Sequence, residues 1–462
     1  MSHRKKISKT FAATISSQLC NFIFLPFISR LYSPNEFSQW AIFLVIVMII
    51  GTVATFKYAD AIVIEVNNEE RTNLFYGSLL AIFISSTIGA TIGLFFFSFP
   101  IALLLFLSIF GIGFQTLSQQ VFLKNTHLGR FVTITFLNSF LVPTFQLISG
   151  KFIAPTGLFL IAGATTGYLL TATIGFLLII NGQYLSRKPL DKSLFKTLIR
   201  YKKFPLFSMS YTLLSALRLR AIYFFMHNID PSLNSYYAQS EKLLYAPGNF
   251  MGAAVRPIFF NLISQRKIEE IEGQIISLLN AIAKIALPFM AISYIYSVEI
   301  INLFFGPKWM SMVFIFRILH FPAFFLLLIN WLDRTFDVLD AQFELFRLEI
   351  IFVFLTLIII AIVFLLLNKK ENLLIIALTV NSVIYYCFWL WRLFVKANFS
   401  SIKFLKMLSV WIITILCWYL FMSFIKNSFD NFFIRIPIMI FGILAYAFFD
   451  KDIRANTTKS LK

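Results

Sequence analysis

The chain has 462 residues, of which 59% are hydrophobic and 13% charged, with a formal net charge of +19 and a mean hydropathy of +0.82. This composition excludes a soluble globular domain. In a soluble protein the positive balance would suggest nucleic acid. In a chain this apolar it reflects basic loops facing anionic headgroups, and no nucleic-acid partner is expected.

Apolar stretches of about 20 residues recur from end to end, each long enough to cross a bilayer core of roughly 30 Å. Backbone groups in hydrocarbon need internal partners, and continuous apolar runs without strand-like alternation select helices. Fourteen spans are predicted, at about 10–30, 38–58, 74–97, 100–123, 131–150, 155–180, 205–226, 236–262, 275–304, 311–332, 346–367, 372–394, 407–425 and 432–449. Lys5, Lys6 and Lys9 precede a first span that lacks a cleavage site and reads as a permanent helix. With the N-terminus in the cytoplasm, lysine and arginine favour the cytoplasmic loops roughly fourfold, which places both termini there.

The loops on the opposite side are too short for a soluble catalytic domain, which argues against a glycosyltransferase or a polymerase with a large external loop. Cys20, Cys387 and Cys417 have no redox spacing, and His3, His127, His227 and His320 no metal-ligand spacing. No metal and no cofactor are expected. No Walker-type phosphate loop appears, so energy must come from an H+ or Na+ gradient, the membrane potential or consumption of the product.

The longest connection, 181–204, falls midway along the first twelve spans. Within it Leu190, Leu194, Leu198 and Ile199 mark one helical face, and Lys192, Lys196, Arg200 and Lys203 the other. That pattern predicts an amphipathic helix on the inner leaflet. A nine-residue repeat supports two halves: S-P-N-E-F-S-Q-W-A (Ser33–Ala41) and D-P-S-L-N-S-Y-Y-A (Asp230–Ala238) match at Pro34/Pro231, Ser38/Ser235 and Ala41/Ala238. The expected organisation is a six-helix lobe at 1–180, the linker at 181–204, a second six-helix lobe at 205–394, and two further helices with a basic tail at 395–462. Halves in the same orientation are how transporters with parallel repeats are built.

Six cations fall within spans: Arg218, Arg220, Lys242, Arg256, Lys284 and Arg317. The acids in or near spans include Asp60, Glu241, Glu299 and Asp333. A charge at such depth costs roughly 2.5–3.5 kcal/mol or more, so it faces a cavity or a partner. Arg218 lies about 13 residues, roughly 20 Å, above the cytoplasmic start of its span, beyond easy snorkelling. Arg220, two residues on, points to nearly the opposite face. Arg220 and Glu241 are read as a structural pair, and Arg218 and Lys284 as cavity cations that bind substrate. Arg256 and Arg317, nearer the span ends, are read as snorkelling. Lys57 and Asp60, three residues apart, are expected to form a local pair or gate. Cavity arginines suit a phosphate-bearing ligand, because guanidinium binds phosphate through forked hydrogen bonds.

F-L-P-F-I-S-R-L-Y-S-P-N-E-F-S-Q-W-A (Phe24–Ala41), F-K-Y-A-D-A-I-V-I (Phe56–Ile64), R-Y-K-K-F-P-L-F-S (Arg200–Ser208), Y-Y-A-Q-S-E-K-L-L-Y-A-P (Tyr236–Pro247) and F-F-G-P-K-W (Phe304–Trp309) stand in order along the chain. Together they resemble the O-antigen and polysaccharide-unit flippases of the multidrug/oligosaccharidyl-lipid/polysaccharide exporter superfamily. The resemblance implies an all-α, MATE-like fold working by alternating access in the bacterial inner membrane. It implies a substrate linked to undecaprenyl diphosphate, moved from the cytoplasmic to the periplasmic leaflet. Membrane lipids and the polymerase and chain-length proteins of the same pathway are the implied partners. A drug or cation antiporter and a lipid II flippase of the same fold remain alternatives, as does a membrane polymerase of the same pathway.

Overall fold

The computed structural model describes residues 3–428 apart from 126, 183–192, 265–271, 333–334, 340 and 367–369, together with 438–439, 442 and 446. Among the described residues every regular element is helical. Ten of the described helices are long and apolar enough to cross a bilayer. The predicted spans at 10–30, 205–226 and 236–262 are helical as well, within His3–Leu31, Ser210–Ile229 and Pro231–Ser264. The predicted last span, 432–449, and the 183–192 part of the linker fall almost wholly outside the described residues. The chain forms two compact units, Met1–Ala238 with Glu349–Glu371, and Gln239–Leu348 with Asn372–Lys462.

The first unit begins with α1 (His3–Leu31), α2 (Pro34–Gly51), α3 (Tyr58–Ile64), α4 (Asn68–Gly93), α5 (Phe99–Lys124), α6 (Leu128–Phe152) and α7 (Gly157–Asn181). The expected span 38–58 ends early, at Gly51. A six-residue turn follows, in which Phe56 (φ 48°) and Lys57 (φ 61°) adopt the left-handed region. β-Branched Thr52, Val53 and Thr55 weaken the helix there. Ser85 donates to the freed Ala54 carbonyl at 3.2 Å, so the opened backbone stays satisfied inside the bundle.

Close helix contact between α6 and α7 depends on small residues. A Cβ added at Gly163 would stand 2.6 Å from the Phe145 carbonyl oxygen, and one at Gly167 2.6 Å from the Val142 Cα. Without side chains at these positions the backbones approach, and van der Waals packing replaces the hydrophobic drive that lipid removes. Ser149 bridges the same interface, donating to the Phe159 carbonyl at 2.8 Å. Tyr32, the residue after α1, donates to the Gln146 carbonyl at 2.8 Å.

The linker supplies α8 (Ser193–Arg200), which packs on α4. Asn73 donates to Ser193 at 3.2 Å and to Thr197 at 3.1 Å, and Leu194 is buried. Ile199, expected on the apolar face with Leu194 and Leu198, is instead 65% exposed beside Phe195. The packed face follows Leu194 and Thr197, so the apolar stripe is split between protein and surroundings. A π-helical turn, Phe204–Met209, leads into α9 (Ser210–Ile229), and α10 (Pro231–Ser264) follows.

The two repeat copies form matching corners in this unit. Pro34 and Pro231 each occupy the first position of a helix, where the missing N–H is not needed. The Ser33 hydroxyl accepts from the Glu36 amide at 3.4 Å, and the Asp230 carboxylate from the Ser232 amide at 2.8 Å. The corners also meet. Ser38 lies 3.0 Å from His227 Nδ1, and Ser235 donates to the Pro34 carbonyl at 2.5 Å. The unit is completed by the part of α15 (Gln342–Leu366) from Glu349 onward, where Phe364 packs edge-on against Phe225 of α9 at 5.5 Å.

The second unit holds the rest of α10, then α11 (Glu272–Ile295), α12 (Ser297–Phe304), a 3-10 turn at Pro307–Met312, α13 (Val313–Ile329), α14 (Thr335–Val338), α16 (Glu371–Lys396) and α17 (Ser401–Ser428). The expected span 275–304 is two helices, broken at Tyr296. Lys426 of α17 fills the break: its ammonium donates to the Ile295 carbonyl at 3.0 Å and pairs with Glu299 at 3.0 Å. At the other end of α17, Glu272 accepts from the Ser400 amide at 3.0 Å and from Lys403 at 2.8 Å.

Candidate functional site

The site grows from Arg218. It is the ninth residue of α9, and Glu349 is the eighth of α15, so neither stands at a helix end. Arg218 Nε donates to Glu349 Oε2 at 2.5 Å, and Nη2 to Oε1 at 3.3 Å. The two side chains are 7% and 4% exposed. This is a forked guanidinium–carboxylate pair, whose planar match makes it stronger than a single contact. Arg218, read from sequence as a cavity cation, thus has a carboxylate partner within the protein. The acids read from sequence omit Glu349, and the excess of cations within spans is correspondingly smaller.

Arg220, on the same helix, takes a different environment. Its guanidinium sits 5.7 Å from the centre of the Tyr223 ring, and Nη1 donates to the Tyr223 hydroxyl at 3.4 Å. Tyr223 packs in turn against Tyr237 at 5.4 Å. Glu241 is buried on α10 in the second unit. Lys284 is half-buried on α11 of that unit, beside the fully buried Ala283.

Lys57 and Asp60 approach to 3.7 Å at the α2–α3 break. Gln120 donates to Asp60 at 3.2 Å, and Lys124 to the Val63 carbonyl at 3.1 Å. The first unit thus gathers polar side chains from α3 and α5 around the left-handed turn. Strained backbone persists only where neighbours hold it in place, as these do.

The remaining cations lie in the second unit. Arg256 donates to the Asn330 carbonyl at 3.1 and 2.6 Å and to its side-chain oxygen at 2.8 Å. Arg317 donates to Ser297 at 2.7 Å and covers the Tyr294 ring at 5.7 Å. Both make specific contacts inside the unit, where snorkelling was expected. Sequence reasoning missed Glu349 and Asn330. The available signal was modest: one acid inside the very apolar 346–367 span, and one amide at the end of another.

A family model described as a polysaccharide biosynthesis protein matches residues 27–314. The structure is similar to the lipid II flippase MurJ in an inward closed conformation, at 14% identity and a TM-score of 0.72, over 97% of this chain and 99% of that one. It is also similar to an inward-facing multidrug resistance MATE family transporter of the MOP superfamily, at 14% identity, a TM-score of 0.57 and coverage of 84% and 96%. A mutant of the Vibrio cholerae MATE transporter VcmN aligns at 14% identity and a TM-score of 0.53, over 85% and 96%. No curated sequence is significantly similar to the chain. The fold is therefore that of these flippases and transporters: all-helical, multi-pass and membrane-embedded.

Proposed function

The chain belongs to the polysaccharide biosynthesis protein family, and from that premise we propose that it is a flippase for lipid-linked saccharides. It carries undecaprenyl-diphosphate-linked repeat units, such as O-antigen units, from the cytoplasmic to the periplasmic leaflet of the bacterial inner membrane. Both termini are cytoplasmic, and the cycle is alternating access between two six-helix lobes, driven by an ion gradient or by consumption of the product. The polymerase and chain-length proteins of the same pathway then receive the unit. The observation that carries this reading is the family match on a chain whose flippase-like fold extends over 97% of its length. The forked geometry at Arg218 supports it, since the same edge of the guanidinium suits a phosphate.

The test is deletion of the gene in its host with analysis of lipid-linked intermediates and surface glycan. Complete repeat units trapped on the carrier, with none at the surface, are expected. Surface glycan capped at one repeat unit would indicate a polymerase, and unchanged glycan would overturn the reading. A second reading, transport of a cell-wall precursor, is favoured by the likeness to the lipid II flippase. In that case lipid II, rather than the repeat unit, accumulates in the deletion strain.

A further inference from the structure

We propose that Glu349 is the resting occupant of an anion site on Arg218, and that the diphosphate of the lipid carrier binds by taking its place. The inference rests on the flippase reading above and deepens it. It makes Glu349 a specificity-determining residue: it admits a multivalent anion and holds the site closed to weaker ligands.

Three observations carry it. First, the carboxylate presents two oxygens to one edge of the guanidinium, at 2.5 and 3.3 Å, which is the arrangement a phosphate group would adopt there. Second, the pair is almost wholly buried, at 7% and 4% exposure, between α9 and α15, the latter a helix long and apolar enough to cross a bilayer. An empty site holding a bare guanidinium would be costly in lipid, and the internal carboxylate removes that cost. Third, apolar contact also joins α9 to α15. Phe225 and Phe364 already pack between these helices, and apolar replacement of a buried ion pair is often neutral or stabilising. An ion pair kept where hydrophobic packing would serve is explained by a ligand that exchanges with one partner.

Self-occupancy lowers apparent affinity by the fraction of molecules whose site is free, so removing the occupant should reveal tighter binding. The experiment uses the full chain in nanodiscs, titrated with undecaprenyl diphosphate, with thermal unfolding followed in parallel. Glu349→Gln is expected to bind on the order of tenfold more tightly than the parent. Arg218→Gln, and the double variant with Glu349→Gln, should both lose binding. Glu349→Asp, which keeps the charge but shortens the reach, should bind more tightly than the parent and serves if Glu349→Gln fails to fold. Parent-like or weaker binding in both Glu349 variants would overturn the inference, whatever their stability. Failure of the parent itself to bind undecaprenyl diphosphate would sink the flippase reading together with it. Binding by the parent that ignores Arg218 and Glu349 would sink this inference alone.

Discussion

Arg218 of the first unit and the arginines of the second are held by different means. In the first, Arg218 meets a carboxylate, and the pair is neutral as a whole. In the second, Arg256 and Arg317 donate to an amide, a backbone carbonyl and a hydroxyl. Among the described residues Arg317 has no carboxylate partner, so it keeps a net positive charge against Ser297 and the Tyr294 ring. Neutral oxygens satisfy hydrogen bonds but leave the ion uncompensated; a carboxylate does both. The difference matters for transport, because a compensated site can exchange one anion for another without exposing a bare charge.

The most severe way to break the comparison is to remove one partner of the neutral pair. Arg218→Ala leaves a buried carboxylate without its counter-ion and should destabilise the protein by about 3–5 kcal/mol. Thermal unfolding in detergent measures this, and Arg218→Ala with Glu349→Ala should recover most of the loss. At Arg256 the effect should be smaller. Arg256→Met removes hydrogen bonds to Asn330 and should cost about 2 kcal/mol. At Arg317 the expected cost is smaller again, about 1 kcal/mol for Arg317→Gln, since a single hydroxyl contact and a ring contact are lost.

The comparison is sharpened by converting one mode into the other. Ser297→Asp places a carboxylate opposite Arg317 at the first position of α12, where the helix dipole favours negative charge. The single variant should be near neutral, within about 1 kcal/mol, whereas Ser297→Asp with Arg317→Gln should be worse than either alone. At the exposed end of the scale, Asp60→Asn should change stability by no more than about 1 kcal/mol, because the Lys57–Asp60 pair is 3.7 Å long and solvent-accessible. A larger effect there would show that the left-handed turn depends on this ion pair.

Much of the fold was legible in the chain itself. Apolar runs located helices such as Gly157–Asn181 to within a few residues, and the proline-led repeat located two corners that form the same cap. What could not be read were the breaks. The helix ends at Gly51 and at Ile295 depend on Ser85 and Lys426, which reach in from helices distant in sequence. The amphipathic pattern of the linker was likewise sound for Leu194 but not for Ile199, because the face that packs is chosen by α4 rather than by periodicity.

Local composition is enough to fix the solvent this protein folds in and its helical class. Those properties follow from local composition and the geometry of a single helix, and they hold whatever the neighbours are. That Arg218 meets Glu349, 131 residues away, while Arg220 contacts Tyr223, comes from packing between helices. Ion pairing depends on distances of a few ångströms between side chains on different helices. Spacing along one chain carries no information about which helix will stand beside it.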